Sequence, residues 1–556
     1  MTKIALPSKR QVGHLTLLRQ GRNISLAEYN ALTTDEQLNM IHQARGKQKF
    51  DLLMNARQIE TLVPKLHPQE LYLTINELGA EYSTELIMLA SPEQLTILLD
   101  LDCWDEDNLS SVLSLHWLEL LLNTGVKKVC QLVREMEPEI LTLFLKKHLT
   151  ITRGMEAFDD DDAENAKCVE GLYDIDYFSE NAAKTIGALL NIWFEQEQES
   201  YLLIMEMIRS ENLSILEEEA YQTRSNRLLD LGIIPTIEAK TIYSYSDPET
   251  FKPGGKSNFH VEADHLQHPA ALLAHGSPPN LLAEILAEKI DHSSACELMF
   301  LVNRKMSADK IDLAETEDVA ETFQSTYDTL NLALEFLAGT APDKAEKIFH
   351  NTYLLHLFQL GHSLIKKRQI RGEKLRSSQI YPYLDYPELL FIDSLLQQPA
   401  TLYREAGEDM PRHQQTITSI KALERVDDRL TQVESLSKLF TAKLPFELPQ
   451  PETEIAEYPS LSGIFLTAVA NQLLHNEFTP TPLNLADFPR LKNQTFINNQ
   501  ISDAFREDVY FSMQQLTPDC SFFVEFSLDI WGQVFQNFDL STNESPFYGT
   551  LLLTFN

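Results

Sequence analysis

The chain has 556 residues, 43% of them hydrophobic, with 82 acidic against 46 basic side chains and a formal net charge of −36. That length holds several domains and a large buried core, and the hydrophobic fraction is ordinary for a soluble globular protein. So acidic a surface repels nucleic acid and anionic lipid over most of its area.

Glycine and proline are scarce, at 19 and 25 residues. Leucine is abundant and β-branched runs are few, which favours helix over sheet. The five cysteines (Cys103, Cys130, Cys168, Cys296 and Cys520) are scattered and form no CxxC. That is a reduced-thiol pattern, and it fits the cytoplasm. The start Met1-Thr2-Lys3-Ile4-Ala5 leads into no apolar core, so no secretory leader is expected. No apolar run reaches the ~18–20 residues that cross a bilayer, so no membrane insertion is expected.

Residues 1–57 form a basic arm, with nine Lys or Arg against four acidic residues. Its simplest placement is folded back onto the acidic body. Leu26–Asn30 suggests a short helical turn. Thr34 is the expected N-cap of the next helix, with Gln37 as capping-box partner, Leu38 and Ile41 on its apolar face, and Gly46 ending it.

Residues 58–150 carry a near-repeat. Leu66-His67-Pro68-Gln69-Glu70-Leu71 is echoed by Ala90-Ser91-Pro92-Glu93-Gln94-Leu95 and by Met136-Glu137-Pro138-Glu139-Ile140-Leu141. The prolines stand 24 and then 46 residues apart, one period of about 23 with a degenerate copy between the second and third. Ser91 can cap a helix, Pro92 fits its first position, and Gln94 completes a capping box. Pro68 and Pro138 fit first positions too, behind the weaker caps His67 and Glu137. The helix at Leu113–Leu122 is apolar enough to be expected inside the stack.

Beyond the repeat, Asp159-Asp160-Asp161-Asp162 reads as a solvated loop and a boundary. Residues 171–245 form a helical domain, with one long helix over Ala182–Arg209 and another over Ser214–Leu231 that stops before Gly232. Breakers crowd residues 246–280, a linker or loop. Residues 281–443 return to helix, including Phe323–Leu337 and Lys344–Ile365. Residues 461–556 form a C-terminal domain. There helical stretches (Leu461–His475, Asn498–Glu507) alternate with strand-like aromatic pieces such as Ser521-Phe522-Phe523-Val524-Glu525-Phe526. The expected fold class is mainly α: a helical-repeat superhelix in the N-terminal part, further helical domains after it, and an α+β alternative left open for the C-terminal region.

Several constellations are candidates for chemistry. Gly254-Gly255-Lys256-Ser257 resembles the end of a phosphate-binding loop, but Thr250 stands where the pattern needs glycine, and Pro253 removes an amide. His260, His265, His268 and His275, beside Glu262 and Asp264, are the densest set of potential metal ligands, though their spacing matches no common site. His350, His356 and His362 recur every six residues on one helix, roughly 120° of face apart, so they do not converge on one ion. The acidic run at Asp159–Asp162 lacks the alternation and central glycine of a calcium loop. A basic cluster (Lys366, Lys367, Arg368, Arg371, Lys374 and Arg376) precedes Tyr381, Tyr383 and Tyr386. Basic and aromatic side chains together can hold single-stranded nucleic acid. They also suit a salt-bridge face within this acidic protein, and the overall charge favours that reading. No G-x-S-x-G, HExxH or recognisable Cys–His pair is present, and no cofactor is implied.

With its Pro-x-Glu/Gln-Leu helix starts, Leu62–Lys147 resembles the superhelical N-terminal domain of MgtE-type magnesium transporters and the middle repeats of the flagellar motor-switch protein FliG. The resemblance implies a domain that regulates or connects partners and carries no catalytic centre. Two longer phrases, Leu98-Leu99-Asp100-Leu101-Asp102-Cys103-Trp104 and Arg227-Leu228-Leu229-Asp230-Leu231-Gly232, are followed by Glu238-Ala239 and Ile242-Tyr243. Through them the whole chain is similar to a bacterial family of cytoplasmic proteins defined as a domain of unknown function, which implies no activity.

The expected function is that of a non-catalytic helical scaffold or adaptor binding protein partners through a groove in residues 62–147. A metal-dependent enzyme using His260–His275 and a nucleic-acid binder using Lys366–Arg376 are the two alternatives.

Overall fold

In a computed structural model, the described residues are 3–5, 10–12, 15–17, 23–42, 44, 46–105, 107–153, 173–256, 280–287, 292–404, 413–449, 458–498, 500–516, 520–536, 547–548 and 550–554. Among them 25 α-helices dominate, and the strands occur only as two-stranded antiparallel ladders. The fold is mainly α, as the leucine-rich, glycine-poor composition requires. Contacts divide the chain into two compact units, Met1–Gly361 and His362–Asn556. The division falls inside the stretch 281–443.

In the first unit the helices Pro68–Leu78, Pro92–Asp102 and Pro138–Lys146 each begin with proline at the first position. That proline lacks an N–H that the first turn would leave unpaired in any case, and its fixed φ suits the helix. The Ser91 hydroxyl accepts from the Gln94 amide at 3.1 Å, while the Ser91 amide donates to Gln94 Oε1 at 2.8 Å. Between the second and third proline starts, Ser110 caps a further helix, Ser111–Asn123. This helix buries one face through Ser114, Trp117, Leu118 and Leu121 and leaves Val112 76% exposed.

Local boundaries differ from the sequence reading at several points. Thr33 caps the helix Thr34–His42 through Glu36, one residue before the expected Thr34 and Gln37. The Gln37 side chain is buried instead and donates to the Tyr29 carbonyl at 2.9 Å. Gly46, with φ +47°, begins the helix Gly46–Met54. The span Ala182–Arg209 is two helices, Glu180–Gln196 and Gln198–Ser210, broken at Glu197. Likewise Lys344–Ile365 is divided between Pro342–Asn351 and Leu354–Arg376. The hinge between them is braced from outside, since the Leu354 amide donates to Glu297 and the Gly254 amide to Thr352 Oγ1.

In the second unit the helix Leu461–His475 forms with the bounds read from sequence and packs against Ser521–Gln536, with the Phe465 and Phe523 rings 5.5 Å apart. The aromatic stretch Ser521–Phe526 is therefore helix, not strand. Phe523, Val524, Ser527, Leu528, Trp531 and Phe535 are buried, while Glu525, Asp529 and Gln533 recur every four residues on the exposed face. That period is visible only over the full sixteen residues.

Candidate functional site

The three proline helix starts converge. His67 and Pro68, then Pro92, Glu93, Thr96 and Ile97, then Glu135 and Glu137 line one half-open cleft in the first unit. Arg227, Asp230 and Leu231, from the end of the Leu213–Asp230 helix, complete it. Its volume is about 510 Å³.

Two of the starts carry a side-chain cap, and the third is tied by a distant ion pair. His67 Nδ1 accepts from the Gln69 amide at 3.3 Å. Gln94, which closes the Ser91 capping box, also donates to the carbonyls of Val63 (2.9 Å) and Leu66 (2.6 Å). It thereby ties the second helix start to the turn before the first. Glu137 makes no side-chain cap and turns its carboxylate to Arg227 Nη1, with both oxygens at 3.1 Å.

Arg227 links the cleft to the interior. Its Nε and Nη2 donate to Asp100 at 2.7 and 3.0 Å, a bidentate pair with a carboxylate that is 3% exposed. Burial pushes the Asp100 carboxyl up, and Arg227 and Arg224 offset part of that rise. Arg224 donates to the Asp100 carbonyl at 2.8 Å and lies 5.2 Å over the Trp104 ring, a cation–π contact. Asp102 accepts from the Tyr72 hydroxyl at 2.7 Å and from Trp117 Nε1 at 2.6 Å. The two phrases Leu98–Trp104 and Arg227–Gly232, distant in sequence, thus form one charged core behind the cleft.

The Leu231 wall is held as firmly. Asn303 Nδ2 donates to the Leu231 carbonyl at 2.6 Å, and Asn303 and Gln69 exchange amide hydrogen bonds at 2.8 and 2.9 Å. Gly232 has φ +79°, and a Cβ there would sit 2.8 Å from Phe300 Cα, so only glycine fits the turn. Cys103, between the two aspartates and Trp104, is fully buried, and burial together with Asp102 and Asp100 pushes its thiol up. Burial and the neighbouring carboxylates thus disfavour the thiolate form there.

The other sequence candidates lie elsewhere. His260, His265, His268 and His275 fall outside the described residues, as does the acidic run Asp159–Asp162. Among the described residues no group of three or more His, Cys, Asp or Glu is placed to hold a metal ion. Lys256, of the phosphate-loop look-alike, pairs with Glu297 at 2.6 Å. In the second unit Arg368 and Arg371 both bond Asp427, at 2.5 and 2.8 Å, and Arg371 also reaches Glu434 at 2.9 Å. Lys366 pairs with Glu373 at 3.3 Å, while Lys374 and Arg376 are exposed on the same helix as Lys367. No described helix is long and apolar enough to cross a membrane.

In the sequence His67, Pro68, Pro92 and Glu137 are legible as helix starts, and Arg227, Asp230 and Leu231 share one phrase. Their convergence, and the part taken by Thr96, Ile97 and Glu135, are visible only in the fold. The signal that was available is positional: equivalent ends of stacked repeats lie side by side.

Fold and cleft define a mainly helical protein whose repeat ends frame a charged, half-open concavity. The chain belongs to a family of unknown function (DUF6178), whose profile matches residues 26–554. No curated protein and no solved structure matches it.

Proposed function

We propose that the chain is a non-catalytic helical scaffold that binds a protein partner in the cleft between His67, Pro92, Glu137 and Arg227. One observation carries the proposal: three copies of the same helix-start phrase open onto a single concavity. Stacked helical units commonly offer such surfaces for binding. A volume of about 510 Å³ suits a few inserted side chains. The walls are stiff, because the Ser91–Gln94 capping box, the Asp100–Arg227 pair and the Gln69–Asn303 amide exchange all fix them. A preformed wall lowers the ordering cost of association.

A photo-crosslinking residue installed at Thr96, and in a control chain at exposed Glu321, tests the proposal in native cells. The expected result is a discrete heterologous adduct from position 96 that position 321 does not give. Equal labelling from both positions, or none from position 96, overturns it.

A further inference from the structure

We infer that the cleft takes a basic segment of its partner, an arginine or lysine side chain carried between apolar neighbours. The inference rests on the docking proposal above and names the chemistry of the occupant.

The lining sets the sign. Glu93, Glu135, Glu137 and Asp230 bring four carboxylates to the cleft, and all four residues are exposed. Glu93 and Asp230 form no ion pair with any described residue. The guanidinium of Arg227 is already spent, since Asp100 takes it bidentately and Glu137 takes its remaining nitrogen. The cleft is therefore left with an excess of negative charge on concave, partly apolar walls. Such a shape focuses the field and raises the local concentration of a cation.

The apolar part of the lining suits the rest of such a segment. Pro68, Pro92, Ile97 and Leu231 give aliphatic surface beside the carboxylates. Arginine and lysine bury their methylene stems on such surface while the charged head meets an anion. The net charge of −36 steers a basic segment toward the chain from a distance. An acidic or phosphorylated segment meets repulsion on both counts.

The test uses the full chain and three fluorescein-labelled, end-capped octapeptides, alike except for a central Arg-Leu-Arg, Lys-Leu-Lys or Glu-Leu-Glu. Fluorescence anisotropy at low salt should detect binding of the arginine and lysine peptides and not of the glutamate peptide. The double variant Glu93→Gln/Glu135→Gln should bind the basic peptides about tenfold more weakly. The double variant Glu321→Gln/Glu346→Gln removes the same charge at exposed positions away from the cleft and should leave affinity unchanged. Circular dichroism confirms that both variants fold. No binding of the basic peptides, equal binding of the glutamate peptide, or equal losses in the two variants overturns the inference. A chain that fails here yet still crosslinks a partner from position 96 keeps its docking role and loses only the basic occupant.

Discussion

The charged side chains that matter most are those buried against one another. Glu70 is 2% exposed and sits between Lys49 Nζ at 2.6 Å and His42 Nδ1 at 2.8 Å. Burial alone would raise its carboxyl, but Lys49 and His42 outweigh burial and hold it far below the ordinary 4.5. A carboxyl lowered in the folded state contributes stability that is complete above its unfolded value and lost as pH falls. Glu70→Gln should therefore cost about 3 kcal/mol at neutral pH, since it strands a buried ammonium. Its deficit should shrink steadily below pH 4.5, as wild-type Glu70 loses its own contribution. Urea titrations of both proteins at neutral and acid pH measure this, and a deficit that grows in acid would refute it. Asp100 and Arg227 form a second buried pair, in which burial moves the Asp100 carboxyl the other way, up. Removing the guanidinium with Arg227→Ala leaves a carboxylate 3% exposed beside Arg224 alone. The expected loss is about 3 kcal/mol, and in a double-mutant cycle with Asp100→Asn the two losses should fall well short of adding. Additive losses would mean that the pair is not coupled.

At the scale of the helix, stability concentrates at ends and close approaches. Ser91→Ala removes a hydroxyl cap and should cost about 1 kcal/mol. Gln94→Ala should cost more, because its amide also satisfies the Val63 and Leu66 carbonyls of another turn. Gly361 lies where the Leu354–Arg376 helix meets Thr316–Ala338, and a Cβ there would be 2.1 Å from the Thr329 carbonyl oxygen. Gly361→Ala must push the two backbones apart, so it should lower the thermal midpoint far more than Ser91→Ala does; a smaller shift would rule out that close contact. These ends also mark what the sequence could tell. Ser91-Pro92-x-Gln94 carries its own capping chemistry, and Pro68 and Pro138 can occupy few places other than a helix start. The cap Thr33-x-x-Glu36 was missed because Thr34 and Gln37 offer the same chemistry one residue on. Glu197 breaks a helix that periodicity alone would continue, in a conformation where Arg134 holds its carboxylate. Aromatic density at Ser521–Phe526 suggested strand because a six-residue window does not separate the two periods. The cleft was legible only in part, since Arg227 meets Asp100 across 127 residues of chain. Periodicity reports which face is buried, never what lies against it.

Taken whole, the molecule carries 82 acids against 46 bases, and this excess sets how it responds to salt. Two effects oppose each other. Screening weakens the mutual repulsion of the surplus carboxylates, which stabilises the folded state. It also weakens attractive pairs such as Arg209–Glu206 and Lys366–Glu373, which destabilises it. Exposed pairs of this kind contribute little, about 0–1 kcal/mol each, and the buried pairs at Glu70 and Asp100 are screened far less. With a net charge of −36, repulsion is the larger quantity. The thermal midpoint should therefore rise by about 2–4 °C between roughly 20 and 200 mM sodium chloride, as the Debye length falls below about 10 Å. Scanning calorimetry over that range measures it, and a falling midpoint would mean that attractive pairs dominate. The same titration should act in the opposite direction on a basic peptide in the cleft, whose affinity depends on the unscreened field of Glu93, Glu135 and Asp230. Stability rising while binding falls is a pair of signs that an apolar docking surface would not give, because its affinity would hold nearly constant across that range.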